Sequence, residues 1–224
     1  MKMKKHHLIL FIVLFAIVQP WSPAISQVVP LEDLNEKWSF YGKGLRQMNF
    51  GMFHMQEGPG SKGLMVVSPE PYSADVTVRY EMMPMSASSV CVILLNASDS
   101  DAEETLTVPA DYDGSIGLWT SGTSNYFFAF HNEAHNATPF IKLFPEGKDL
   151  YRYKENVMQP GNFYTVETGR SGNKLWLKID GKRIFKITDP DPMAGGHVAF
   201  RIRGLNGEPA SCLIRKVAIE TDNL

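Results

Sequence analysis

The chain has 224 residues, with 22 Lys and Arg against 24 Asp and Glu, a formal net charge of -2 and 44% hydrophobic residues. That balance excludes a disordered chain, and it lacks both the basic excess of a nucleic-acid binder and an acidic tail. The length accommodates one large all-β domain with a substantial core.

In chain order, Lys2, Lys4 and Lys5 precede an apolar block from Leu8 to Val18, followed by Pro20, Pro23 and the triplet Ala24-Ile25-Ser26. This is the pattern of a secretory signal peptide with a small-residue cleavage site. The block is too short for a bilayer core of about 30 Å, which takes roughly 20 residues. Cleavage is expected near Ser26, leaving residues 27–224 as a single domain that is secreted or periplasmic, with no membrane span after cleavage. The alternative of an uncleaved anchor suits the Pro-rich flank less well.

Beyond Gln27, apolar residues recur in short alternating runs broken by Gly, Pro, Asn and Asp, which is the punctuation of an all-β chain. The predicted strands are 63–68, 75–82, 90–95, 114–120, 126–131, 163–169, 174–179, 183–188, 197–203 and 211–220. Short strands at this spacing predict a two-sheet antiparallel jelly-roll sandwich. The stretches 97–104 and 145–161 lack a clean period and are expected to be long loops, where binding specificity tends to reside.

The sharpest local signal is the Asp180-Gly181 pair between two alternating runs, which predicts a tight hairpin. Its register places Leu175, Leu177 and Ile179 in the core and Lys174, Trp176 and Lys178 on the opposite, solvated face. Likewise Val198, Phe200 and Ile202 separate from Ala199, Arg201 and Arg203, so two arginines stand together off the core, either lining a groove or solvated. Cys91 and Cys212 form no CxxC motif or metal knuckle. Export permits a disulfide between them, and two reduced buried thiols are the equal alternative. Asn96-Ala97-Ser98 and Asn136-Ala137-Thr138 are glycosylation sequons only in a host that uses them.

The run from Gly117 through Trp119, Asn125 and His131 to Asn132, continuing by Ala137-Thr138-Pro139-Phe140 to the hairpin and then Gly195-Gly196-His197-Val198-Ala199-Phe200-Arg201, resembles the YesU-like secreted proteins of the concanavalin A-like lectin/glucanase superfamily. The resemblance is specific from Gly114 to Gly204 and general upstream. It implies a jelly roll with a concave glycan-holding face and a role in polysaccharide utilisation, without supplying a reaction. Laminarinase-type relatives carry an E-x-D-x-E or E-x-D-x-x-E strand motif, and no such spacing exists here. A retaining glycosidase of that type needs two carboxyl groups about 5–5.5 Å apart, and neither Glu133 nor Glu167 has an alternating partner.

Alternation sends Asn125, Phe127, Ala129 and His131 to one face of their strand and Tyr126, Phe128 and Phe130 to the other. His131 is the candidate acid/base, with a structural strand-end histidine as the stronger alternative. The spacing His131-Asn132-Glu133-Ala134-His135 is not a zinc motif. Sugar binding asks for aromatic faces and planar polar partners, which nominates Trp119, Asn125, His131, Arg152, Trp176 and Arg201. The Asp pairs 99/101, 111/113 and 189/191 could contribute to a structural calcium of the kind superfamily members hold. Each supplies few of the 6–8 oxygens calcium prefers, so turn roles are favoured. The expected partner is an oligo- or polysaccharide, bound by an accessory module or processed by a hydrolase or lyase. A structural or interaction protein without catalysis is the third reading.

Overall fold

The computed structural model describes residues 25–100, 103–135, 138–205 and 207–221. The expected signal peptide up to Ala24, Asp101 and most of the second sequon lie outside them. Fifteen strands are described: β1 Ile25–Val28, β2 Ser39–Tyr41, β3 Gly44–Asn49, β4 Met52–Glu57, β5 Leu64–Val67, β6 Val76–Pro84, β7 Val90–Ser98, β8 Ser124–His131, β9 Phe140–Phe144, β10 Lys148–Arg152, β11 Tyr164–Ser171, β12 Lys174–Ile179, β13 Lys182–Thr188, β14 His197–Arg203 and β15 Ser211–Thr221. One short helix, α1 Leu31–Glu36, follows β1. β1 spans the expected cleavage point and pairs with the end of β15.

The strands form two antiparallel sheets. One has the order β13-β12-β11-β6-β15-β4-β3, with β1 joining β15, and the other has the order β10-β9-β8-β7-β14-β5-β2. This is the jelly-roll sandwich expected from the two-residue period. The core lies between the sheets, where Val78, Tyr80 and Met82 of one meet Ile93, Leu95, Phe128, Phe200 and Ile202 of the other. Tyr80 packs edge-on to Phe200 with ring centroids 4.9 Å apart, a favoured geometry for aromatic quadrupoles.

The Asp-Gly hairpin forms as expected. Asp180 and Gly181 both take positive φ, 49° and 74°, which is what a two-residue turn matching strand twist requires, and Ile179 pairs directly with Lys182. Leu175, Leu177 and Ile179 are buried. Two expectations need correction. The segment 114–120 is not a strand, because Leu118–Gly122 coils into a single π-helical turn. Its carbonyls are taken by side chains: Thr123 Oγ1 donates to Leu118 O at 3.3 Å and Asn125 Nδ2 to Trp119 O at 2.8 Å. Such local bonds compete with a sheet ladder. The stretch 145–161 is not all loop, since it contributes β10 at the sheet edge.

Candidate functional site: a trough on the seven-stranded sheet

The seven-stranded sheet is apolar on both faces. Its outer face carries Met65, Val67, Val92, Leu94, Phe127, Ala129 and Ala199, and such a surface needs cover. The segment between β7 and β8 supplies it by laying Leu106, Val108, Tyr112, Leu118 and Trp119 across the strands. Trp119 donates its indole N–H to the Tyr112 hydroxyl at 2.8 Å, and Tyr112 in turn donates to Ser115 O.

The cover stops short of the whole face. Beside it lies a hollow of about 410 Å³ whose lining includes Val90, Phe127, Ala129 and Phe140 on the strands and Ser115 and Ile116 on the edge of the cover. Lys62, Asn132, His135, Arg201 and Arg203 add polar groups to the lining, with Leu205 alongside. The rings of Phe127 and Phe140 lie 11° from parallel with centroids 6.2 Å apart. The Arg152 guanidinium sits over Phe140, 4.7 Å from its centroid. A second hollow of about 590 Å³ adjoins the first through Arg203 and Leu205.

Each cation is positioned by the chain around it. Gly63 and Gly114, with φ of 133° and 86°, bring their backbones together where a side chain on either would collide. That close approach presents Lys62 O and Gly114 O to Arg201 Nη2, which donates to both at 3.1 Å. Burial draws the Arg201 guanidinium below its usual pKa, although an arginine stays protonated. Arg203 donates to Glu57 Oε1 at 3.1 Å and to Ser61 O at 2.7 Å. Lys62 pairs with Asp113 at 2.8 Å, and this ammonium, helped by Ser115, holds the Asp113 carboxyl down to about 2.

The six residues nominated from sequence scatter. Arg201 lines the trough and Arg152 borders it through Phe140. Trp119 and Asn125 are fully buried and therefore anchor the cover, presenting no surface to a ligand. His131 is also buried, with Nδ1 bonded to Ser89 O and Nε2 unpartnered. A bulge causes this: Cys91 pairs with His131 but Val92 with Ala129, so His131 sits opposite a core residue and leaves the alternation. Burial lowers its pKa, and it does not face the trough as an acid/base. Trp176 belongs to the other sheet, where it lies against Gly169 and donates to Glu167 Oε1 at 3.2 Å. Sequence reasoning did not nominate Phe127, Phe140, Asn132, Lys62 and Arg203 as site residues. Phe127 shares the alternation of Asn125, and that was the available signal.

Cys91 and Cys212 are free and buried. Among the described residues no group of three His, Cys, Asp or Glu side chains could hold a metal, and Asp99, Asp113 and Asp189 have other partners. Asp99 accepts from Thr107 N and Oγ1 at 2.8 and 2.7 Å, and Asp189 accepts from the Tyr126 hydroxyl at 2.6 Å. No helix among the described residues is long and apolar enough to cross a membrane.

A Bacillus subtilis protein of unknown function with a galectin-like fold is similar over 89% of this chain and 100% of its own, at 14% identity and a TM-score of 0.74. The fold is a concanavalin A-like jelly roll. A Bacillus licheniformis β-glucanase matches 92% of this chain and 100% of its own at 13% identity and a TM-score of 0.59. The Bacillus subtilis carbohydrate-binding module CBM66 matches 82% of this chain and 95% of its own at 12% identity, with a TM-score of 0.57. No protein-family model and no curated protein matches the sequence.

Proposed function

We propose that this jelly roll is an exported carbohydrate-binding protein that holds a glycan in the trough of its seven-stranded sheet, in the service of polysaccharide utilisation. The observation that carries the reading is the trough's composition: two nearly parallel phenylalanine rings beside Asn132, His135 and Arg201 in an open hollow of about 410 Å³. Aromatic carbon accepts the apolar face of a pyranose, and planar amide and guanidinium groups bond its hydroxyls. The export signature and the resemblance to YesU-like secreted proteins support the same reading, as do solved carbohydrate-binding and glucanase folds of similar shape.

Binding is favoured over hydrolysis by the trough's residues. Canonical glycosidases use a pair of Asp or Glu residues flanking the bond, and no carboxylate is among the described residues that line this hollow. The test is retention in affinity gels carrying plant and algal polysaccharides, with reducing ends and unsaturated-uronate absorbance followed in parallel. Retention without product is expected, together with loss of retention in Phe140→Ala. Product release would replace the binding reading with an enzymatic one, and failure to be retained by any polysaccharide would remove it.

A further inference from the structure

Arg201 is 4% exposed and sits in the trough wall. Its Nη2 is satisfied by two carbonyl oxygens, Lys62 O and Gly114 O, and its Nε has no acceptor. Carbonyls offer only partial negative charge. A guanidinium taken out of water ordinarily has a full counter-charge, because the desolvation cost is otherwise uncompensated.

The neighbouring acids are engaged elsewhere. Asp113 pairs with Lys62 at 2.8 Å. Glu57 pairs with Arg203 at 3.1 Å through one oxygen, and its other oxygen accepts from the backbone N–H groups of Gly204 and Ala210. Among the described residues none forms an ion pair with Arg201. Nearby, Asn132 lines the same trough, nearly buried, with its Oδ1 unpartnered.

We infer that the ligand carries the missing counter-charge: the trough takes an acidic glycan, whose carboxylate or sulfate ester is drawn to Arg201 while Asn132 accepts from a hydroxyl. This rests on the carbohydrate-binding reading above. Uronate and sulfate groups share the relevant chemistry, a negative charge with several acceptor oxygens that a guanidinium can meet in a fork. A neutral sugar leaves the buried charge as it is, so the wall discriminates by charge more than by shape.

Calorimetric titration of the full chain separates the possibilities. One arm compares polygalacturonate with its fully methyl-esterified form, and the other compares a sulfated galactan with its desulfated form. At least tenfold tighter binding is expected for the charged member of one pair, weakening as salt rises from 50 to 500 mM, and the arm that responds identifies the anion. Arg201→Met should abolish that preference, so that the charged and neutral members of the responding pair bind alike. If Arg201→Met does not fold, the wild-type comparison decides alone. Equal affinity within both pairs would overturn the inference and leave carbohydrate binding standing, as would an unchanged preference in a folded Arg201→Met. No binding to any of the four would overturn the inference, and would overturn carbohydrate binding as well only if the affinity gels also retain nothing.

Discussion

Trp119 and Tyr112 are joined by an indole-to-hydroxyl hydrogen bond of 2.8 Å, with their rings edge-on at 6.2 Å. This contact fastens the β7–β8 cover to itself above an apolar sheet face, and Ile116 at the edge of that cover is part of the trough wall. Stability and binding are therefore coupled through a side chain that touches no ligand. Trp119→Ala should cost about 3–5 kcal/mol, the usual loss for deleting a buried large aromatic. Trp119→Phe keeps most of the volume and forfeits the hydrogen bond, for about 1 kcal/mol. Urea denaturation measures both, and both variants should weaken glycan retention in the same order. A Trp119→Ala protein as stable as wild type would show that the cover is not held by this residue.

Gly114→Ala tests how Arg201 is seated. The φ of 86° already disfavours alanine, and the added methyl would run into Gly63. A loss of more than about 1 kcal/mol is expected, since alanine at a positive φ is strained even in open space. The sheets should survive, as far-ultraviolet circular dichroism would show, while binding drops with the displaced carbonyl. Gly117→Ala is the control, for nothing crowds that position and its φ of -55° is ordinary.

Acid sensitivity should come first from histidine. Burial lowers the pKa of His131 and of His54 from 6.5. Below pH 6.5 the unfolded chain takes up protons that the folded chain refuses. Their stabilisation is thus full above that value and is lost as pH falls toward the folded pKa. The carboxyls of Glu81 and Asp113, lowered by Lys216 and Lys62 respectively, add to the slope only below about pH 4.5. The urea midpoint is therefore expected to fall between pH 7.5 and 5.5, and His131→Gln should flatten that fall. An unchanged slope in His131→Gln would contradict a buried neutral imidazole.

The thiols govern the alkaline side. Burial pushes Cys212 up to about 12 and raises Cys91 well above its usual range, and burial also lifts Tyr72 to about 12. Above pH 9 the unfolded chain ionises its thiols while the folded chain keeps them protonated. Stability thus declines between the unfolded and folded pKa values. Both cysteines should resist a thiol reagent in native protein and react fully in guanidinium, releasing two equivalents. Fewer than two under non-reducing denaturation would reveal a disulfide.

The fold was legible because a two-residue period suffices to assign faces, as at Leu175, Leu177 and Ile179. The site was less so, for three physical reasons. Alternation gives a face but not a sheet, so Trp176 and Arg201 both read as off-core residues although they sit on different sheets. A face turned away from the core need not be wet, and Asn125 lies under a cover, of which Trp119 is itself a part, that only tertiary structure reveals. A bulge is silent in sequence, and the one between β7 and β8 removes His131 from the face its spacing implied. The edge strands β2, β3 and β10 bury too few side chains to show a period, whereas the inner strands β4 and β9 were also missed although β4 alternates in burial.

Glu57 is the last group whose removal separates scaffold from site. Its side chain is almost wholly buried, and it receives three hydrogen bonds, from Arg203, Gly204 N and Ala210 N. It therefore fastens the turn carrying Leu205, shared by both hollows, to the end of β4. Glu57→Gln keeps the shape but can accept through only one oxygen. Its new N–H₂ group then faces a backbone donor or the arginine, leaving at least one buried group unsatisfied, at about 1–3 kcal/mol. Arg203, whose side chain is 36% exposed, also loses its counter-charge, which leaves one more net positive charge between the two hollows. Glu57→Gln is accordingly expected to melt several degrees lower, yet to bind an acidic glycan at least as tightly per folded molecule. Calorimetric melting and titration of the same sample check the two halves. Weaker binding would show that the turn's position outweighs the added charge.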